Sequence, residues 1–453
     1  MNKRNAYGLV LLASLLAAPA VMGQQTVWSI GEADQDFAEF ALAPDKYADF
    51  LNEDFGWPDR CYAVGHSAPG EDWAYVLPGP DDAWAGSGGL AGIRVHVAQV
   101  LFDLAQCPEG GYTLVLALVD VHPGGPPFLR VRINGRRHDY RLKPGASEET
   151  VMGNAKQGRP REVRIPAPNL RQGVNHISMT ILQGSWLLFD QVRLEGPDGA
   201  TLAAPHPTLV RSVKPAAFVD TKADRRVQPL LVDIQQLEKA AMVVVKLDGE
   251  GIFERRVEPG RTLLEAPMPA VQTPTESDVT VLAGDSVRYA GSVTRKPRPP
   301  VTPADYVDVF LGTGHSRWMI APGPWMPYGM VKLSPNNQND GWQGGYEPTI
   351  ENVAGFSHIH EWTMAGLGMM PTTGPLQIAA GDQYQPDEGY RSRIDKDEET
   401  GGIGYYRTVL TDYGIEAELT ATTRAGLQRY TFPKAGEARV LLDLHIPAEY
   451  RFR

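Results

Sequence analysis

His358 and His360, followed at once by Glu361 and Trp362, form a run of chemistry-bearing side chains in a glycine-rich setting. On a strand, residues two apart share a face at about 6.5–7 Å, so the two imidazoles could take one metal ion or line one pocket, with Glu361 turned the other way. A zinc site needs a third ligand and an open position, and the sequence supplies no evidence for either. Hydrogen-bonded structural histidines fit the same pattern. Glu361 could act as an acid or base, but a lone carboxylate with no partner at a known distance is weak evidence. A second segment, Phe310-Leu311-Gly312-Thr313-Gly314-His315, ends in a histidine after a Gly-rich turn, and Trp318, Trp325 and Trp342 follow. Their rings could stack on a ligand or fill a core. Gly312-Thr313-Gly314 is not a phosphate loop, since no Lys follows and no helix opens after it. The run Asp395-Lys396-Asp397-Glu398-Glu399 reads as a solvated loop, because clustered mixed charge favours water.

The elements that must position these groups read as strands throughout. Tyr112–Val119 is a continuous apolar run, whereas Leu129, Val131 and Ile133 alternate with Arg130 and Arg132 before the turn pair Asn134-Gly135. The fold class predicted is all-β, in three consecutive β-sandwich modules: a jelly-roll-like unit over 25–197, an immunoglobulin-like spacer over 198–295, and a third sandwich over 304–453. A stiff Pro-rich linker, 296–303, precedes the third. The second module carries no cluster of ionisable groups that suggests chemistry.

With 453 residues, 47 Gly and 37 Pro, the chain is long enough for several cores and rich in turns. Its 43 Lys+Arg against 54 Asp+Glu leave a formal charge of −11, without the basic footprint that binding to nucleic acid or an anionic membrane requires. Residues 1–23 read as a signal peptide: Lys3 and Arg4, a short apolar run from Leu9 to Ala18, then Val21-Met22-Gly23. The run is too short to span a bilayer, no later segment would anchor the chain, and export to the periplasm or medium is expected. Cys61 and Cys107 could form one disulfide or remain as two buried thiols.

Two resemblances refine this reading. Trp28-Ser29-Ile30-Gly31-Glu32-Ala33-Asp34 with Glu39-Phe40, and Gly184-Ser185-Trp186-Leu187-Leu188-Phe189-Asp190, resemble the carbohydrate-binding-like third domain of polysaccharide lyase family 4 rhamnogalacturonan lyases. That resemblance implies an accessory sugar-contacting module without lyase chemistry, in which Trp57, Trp73 and Trp84 either stack on a pyranose face or fill the sandwich. From Tyr306 onward the order of motifs resembles the start of glycoside hydrolase family 92, the exo-acting α-mannosidases. The motifs are Tyr306-Val307-Asp308 to Gly314, Pro327-Tyr328-Gly329-Met330-Val331-Lys332-Leu333-Ser334-Pro335, Gly345-Tyr346, Gly355–His360, Met370-Pro371-Thr372-Thr373-Gly374, and Gly404-Tyr405-Tyr406 to Pro433.

The family resemblance implies a calcium-dependent, inverting hydrolase acting on α-mannoside glycans, in which one carboxylic acid protonates the leaving oxygen and a carboxylate activates water. In that family the carboxylates and calcium ligands come mainly from an (α/α)6 barrel after the sandwich. The expectation is therefore an N-terminal part that is inactive alone, with its catalytic residues unassigned and its calcium ligands outside this chain. Within it, His315, Trp342, His358, His360, Glu361 and Trp362 are expected to bind substrate. The sequence after His360 departs from the family's small Gly- and Ser-rich loop, which bears on leaving-group specificity. The alternative is a non-catalytic carbohydrate-binding or scaffold protein.

Overall fold

The computed structural model describes residues 24–86, 95–222, 224–299, 301–313, 321–337, 346–360, 368–433 and 437–444. The expected signal peptide, and His315, Trp318, Trp342, Glu361 and Trp362 with it, lie outside these residues. The described chain is all-β, built from mainly antiparallel sheets, as strand periodicity predicts.

The first unit packs two sheets face to face. One runs Gln24–Ile30, Leu187–Pro197, Thr113–Val121, Arg161–Pro166; the other includes Val97–Gln106, Gly173–Gln183, Phe128–Ile133 and Arg136–Arg141 in that order. Thr113–Val121 is buried on both faces apart from its first residue, which suits a central strand with a near-continuous apolar sequence. Phe128–Ile133 sends Leu129, Val131 and Ile133 into the core and leaves Arg130 and Arg132 on the outer face. Asn134 and Gly135, with φ of +46° and +84°, close its hairpin, and that left-handed pair matches the strand twist. Of the three tryptophans considered for sugar stacking, Trp73 is buried against Phe189 and Trp84 meets Tyr47 edge-on at 5.0 Å. Trp57 alone is open, at 61% exposure, its Nε1 donating to Asp54.

The second unit pairs Thr208–Pro215, Arg225–Gln236 and Gly260–Pro269 in one sheet, and orders Glu250–Val257, Ala241–Leu247, Thr275–Ala283 and Ser286–Arg295 in the other. Val232, Ile234, Val243, Val245, Leu264 and Val281 fill the space between them. The Pro-rich segment is fastened to this unit: Val219 N–H donates to Pro299 O, and Val301 N–H to Val219 O. A small apolar cluster of Ala63, Leu101, Val174 and Leu209 ties the first unit to the second. Cys61 packs beside this cluster, whereas Cys107 packs on the first unit's main core. The disulfide considered from sequence is therefore not formed; both cysteines are free thiols, and burial pushes that of Cys61 up to about 11.

The third unit sets a sheet of Ser334–Asn336, Gly355–Ser357, Gly368–Thr372 and Arg439–Asp443 near a second of Thr400–Gly402, Tyr405–Leu410, Ile415–Ala421 and Gly426–Thr431. Leu333, Phe356, Met370, Tyr406, Ile415 and Leu419 belong to one core.

The outer face of the Phe128–Ile133/Arg136–Arg141 hairpin meets this third unit through charge. Arg130, almost fully buried, donates Nε and Nη2 to Asp139 at 2.9 and 2.7 Å, and makes a second bidentate pair with Glu351, Nη2 to Oε2 being 2.6 Å. Arg132 binds both carboxylate oxygens of Asp397 at 2.8 Å, and Arg137 reaches Asp395 at 3.1 Å. The 395–399 run is thus only partly solvated: Asp397 and Glu398 are exposed, but Asp395 and Asp397 are tied to arginines. Its carboxylates complement an arginine face that is far away in sequence, and complementary charge held by fork geometry outcompetes water. Removing one partner of a buried pair strands the other without compensation, so Arg130→Ala is expected to lower stability by roughly 3 kcal/mol. In urea denaturation its third-unit transition should separate from that of the first. A single transition at the wild-type midpoint contradicts the clasp.

Candidate functional site

The site grows from a short hairpin, Trp325 to Lys332, whose ends bridge antiparallel. Gly323 enters it: a Cβ there would lie 1.6 Å from Leu333 O, so only glycine lets the two backbones approach. Trp325 Nε1 donates to Leu333 O at 3.0 Å, which fixes the indole plane. At the tip, Gly329 N–H donates to Met326 O, and Tyr328 takes φ of +57° with its side chain completely exposed. A bulky residue held left-handed at a loop tip is strained, and strain of this kind gathers at functional positions.

Lys332 bridges in parallel to Ile359: its N–H donates to His358 O, and His360 N–H donates back to Lys332 O. The alternation expected of the His-x-His pair follows, with Ile359 turned to solvent and His358 and His360 turned inward to different depths. His360 is completely buried, and its ring lies 5.9 Å from that of Trp325, inclined at 36°. The Lys332 ammonium sits 5.4 Å from the other ring of this stack, the Trp325 indole. Neither ring nitrogen of His360 meets a hydrogen-bond partner among the described residues. Burial, and secondarily the Lys332 charge, lower its pKa to about 4, so the imidazole is neutral at physiological pH. A neutral, unpartnered imidazole beside an indole can offer a donor and an acceptor to a hydroxylated ligand next to an apolar face. Met326, Tyr328, Met330 and Ile359 form exposed apolar surface on the same segments.

A second constellation went unseen in the sequence. Glu399, its side chain 3% exposed, accepts hydrogen bonds from Tyr346 at 2.7 Å and from Tyr406, and pairs with Lys396 at 3.1 Å. Lys396 also donates to the Tyr346 hydroxyl at 2.7 Å. Burial first, and then the Glu399 charge, raise both phenols well above their usual range, while burial pulls Lys396 down. Beside it Arg391, also buried, donates to Asn352 Oδ1 and Asn337 O at 2.7 and 2.6 Å; desolvation lowers its pKa to about 10. Asn337 in turn holds Glu347 through both its N–H and its carbonyl. These groups bond one another and pin the chain on either side of 338–345. The Lys396/Glu399 spacing was the available signal, but nothing in sequence brings Tyr346 and Tyr406 to it.

Residues 306–451 match the glycosyl hydrolase family 92 N-terminal domain, and residues 26–194 match the carbohydrate-binding-like domain III of polysaccharide lyase family 4. An uncharacterized secreted glycosidase of Arthroderma benhamiae is 29% identical over 157 residues, 33% of this chain and 18% of the relative. A family GH92 α-mannosidase from Bacteroides thetaiotaomicron, solved alone and with mannoimidazole, is 32% and 31% identical; each match covers 32% of this chain and 20% of that one, with a TM-score of 0.29. The chain therefore spans about a fifth of the length of these relatives. The sequence matches make this a glycoside hydrolase-related protein.

Because folded His360 stays neutral down to about 4, whereas an unfolded histidine takes up its proton near 6.5, acid favours unfolding across that window, by up to about 3 kcal/mol from this group. His176, also lowered to about 4, acts in the same sense, and Asp82, raised to about 6, acts oppositely. The contribution of His360 is isolated by difference: His360→Phe should flatten the dependence of melting temperature on pH between 4 and 6.5. At pH 7.5 the variant should be at least as stable as the parent, since it removes a buried polar group that lacks partners among the described residues. Parallel curves for the two proteins would show that His360 is not held neutral.

Proposed function

We propose that this chain works as part of an exported, inverting exo-α-mannosidase, with residues 306–451 as its family 92 N-terminal domain and residues 26–194 as an accessory sugar-contacting module. The observation that carries the reading is the family 92 match falling on the segments that assemble Trp325, Lys332, His358 and His360. In this reading the indole offers an apolar face to a mannose ring, the imidazoles bond its hydroxyls, and the burial of His360 keeps it neutral for both donor and acceptor roles. His315, Trp342, Glu361 and Trp362 belong to the same proposed pocket on sequence grounds.

Inversion needs a carboxylic acid and a carboxylate roughly 6.5–9.5 Å apart, flanking the scissile bond. We assign neither to the described residues, and the general acid and base are proposed to lie elsewhere. Among the described residues no group of three or more His, Cys, Asp or Glu gathers to hold a cation. They do not fit a calcium cage, and the roles proposed for them involve no calcium. A non-catalytic carbohydrate-binding protein is the alternative, favoured by the first module with its open Trp57.

The 453-residue chain alone is expected to release no mannose from an α-mannoside, with or without calcium, while a complete product that joins it to a family 92 catalytic domain releases it with inversion. Within that product, His358→Ala should lower kcat/KM for mannoside hydrolysis by at least tenfold with only a small shift in melting temperature. Failure of the complete product to hydrolyse any α-mannoside, together with retained glycan binding, would favour the alternative. Unchanged kinetics for His358→Ala would remove the histidine from the pocket.

A further inference from the structure

Away from the third unit, a cleft of about 460 Å³ opens between the first and second units, within the range of small-molecule sites, roughly 300–1,000 Å³. Its charge runs against that of the protein. In a chain of formal charge −11, the lining brings together Arg171, Arg211 and Arg261 against the single carboxylate of Asp233. Asp59 adds a further negative charge felt by Arg211 and Arg261. Three guanidinium groups still outnumber two carboxylates.

Arg211 is the unusual member. It sits at a register shift, where Val210 pairs with Ile234 and Ser212 with Asp233, so Arg211 is the extra residue of a β-bulge. Bulges re-aim side chains and concentrate at functional positions. The side chain is carried to the junction and is buried, at 8% exposure. Asp233 is already engaged: Arg261 holds both of its oxygens at 3.0 and 2.9 Å, leaving Arg211 Nε at 3.7 Å. Arg211 Nη2 donates to Gln99 Oε1 at 3.1 Å. His176 Nε2 lies 2.9 Å from the same oxygen. With its pKa lowered to about 4 by burial and then by Arg211 and Arg261, His176 is neutral, and with Nε2 protonated it shares Gln99 rather than accepting from Arg211. Arg211 Nη1 is buried with no hydrogen-bond partner among the described residues. A guanidinium with an unused donor is costly to bury, and burial together with the neighbouring Arg261 already disfavours its charge.

We propose that this cleft binds the oxyanion of a small ligand, a carboxylate or a phosphate, with Arg211 Nη1 as the donor that reads it and Arg171 and Arg261 as supporting charges. An oxyanion supplies the missing acceptor and offsets the like-charge pair, and guanidinium geometry suits both carboxylate and phosphate. No catalytic step is involved, and the site is separate from the Trp325/His360 pocket.

The test is calorimetric titration of the 453-residue chain at low ionic strength with glucuronate, glucose and inorganic phosphate, before and after substitution. Saturable binding of glucuronate or phosphate, at least tenfold tighter than of glucose and weakened by salt, is expected, and whichever anion binds identifies the source of the oxyanion. Arg211→Gln should weaken that binding at least tenfold. Because Arg211 is buried, circular dichroism must confirm that its variant folds; the exposed Arg171→Glu, which also gives up the bond from Arg171 Nη2 to Arg211 O at 3.3 Å, provides a second arm that inverts charge at the rim and should also weaken anion binding. Absence of saturable binding by both anions, or binding that neither substitution alters, overturns the proposal.

Discussion

The double bidentate grip of Arg130 on Asp139 and Glu351 is the interaction on which the arrangement of the first and third units depends. One guanidinium serves two carboxylates, one in its own hairpin and one 221 residues on, and it is nearly shut off from water. Pairs of this kind are specific because each removed partner leaves a charge without solvent or complement. Arg132 and Arg137 extend the grip to Asp397 and Asp395, so an arginine-bearing sheet face meets an acidic edge. Without that face Asp395 and Asp397 would have no partner for their charge across the junction.

The third unit shows the same economy on a smaller scale. Its core is modest, and buried polar groups stand where a larger sandwich would place aliphatic side chains: Arg391 between Asn352 and Asn337, and Glu399 among Tyr346, Tyr406 and Lys396. Each member has partners, which is the condition under which a buried polar network rigidifies a fold rather than weakening it. The result is a frame that pins the segments around 338–345 and supports the loops that carry the candidate site.

Two of the buried groups left unsatisfied among the described residues lie at the candidate binding sites. His360 and Arg211 are both buried with ring or guanidinium nitrogens that find no partner among the described residues. They sit in different contexts. His360 lies under an indole on segments matched to a glycosidase domain, and Arg211 lies on a bulge between two sandwiches. The first is suited to hydroxyls beside an apolar ring face, the second to an anion.

Much of the fold was legible in the residues, because strand structure is written locally. The alternation of Leu129, Val131 and Ile133 with Arg130 and Arg132, the turn at Asn134-Gly135 and the apolar run through Thr113–Val121 depend on neighbours a few positions apart. The His-x-His segment was legible for the same reason, since a period of two decides which way His358, Ile359 and His360 face. Burial and partnership were not. Trp73, Trp84 and Trp57 share a residue type but end up buried, edge-packed and open, according to which surfaces close over them. Cys61 and Cys107 go to different clusters, and Asp395 and Asp397 pair with arginines more than 250 residues away. Arg211 could not be singled out at all, because its isolation follows from Arg261 having claimed Asp233 and from a bulge that only strand pairing creates. Local sequence determines which backbone each segment prefers; tertiary structure decides which polar groups lose water and what they meet instead, and that exchange depends on contacts no local pattern encodes.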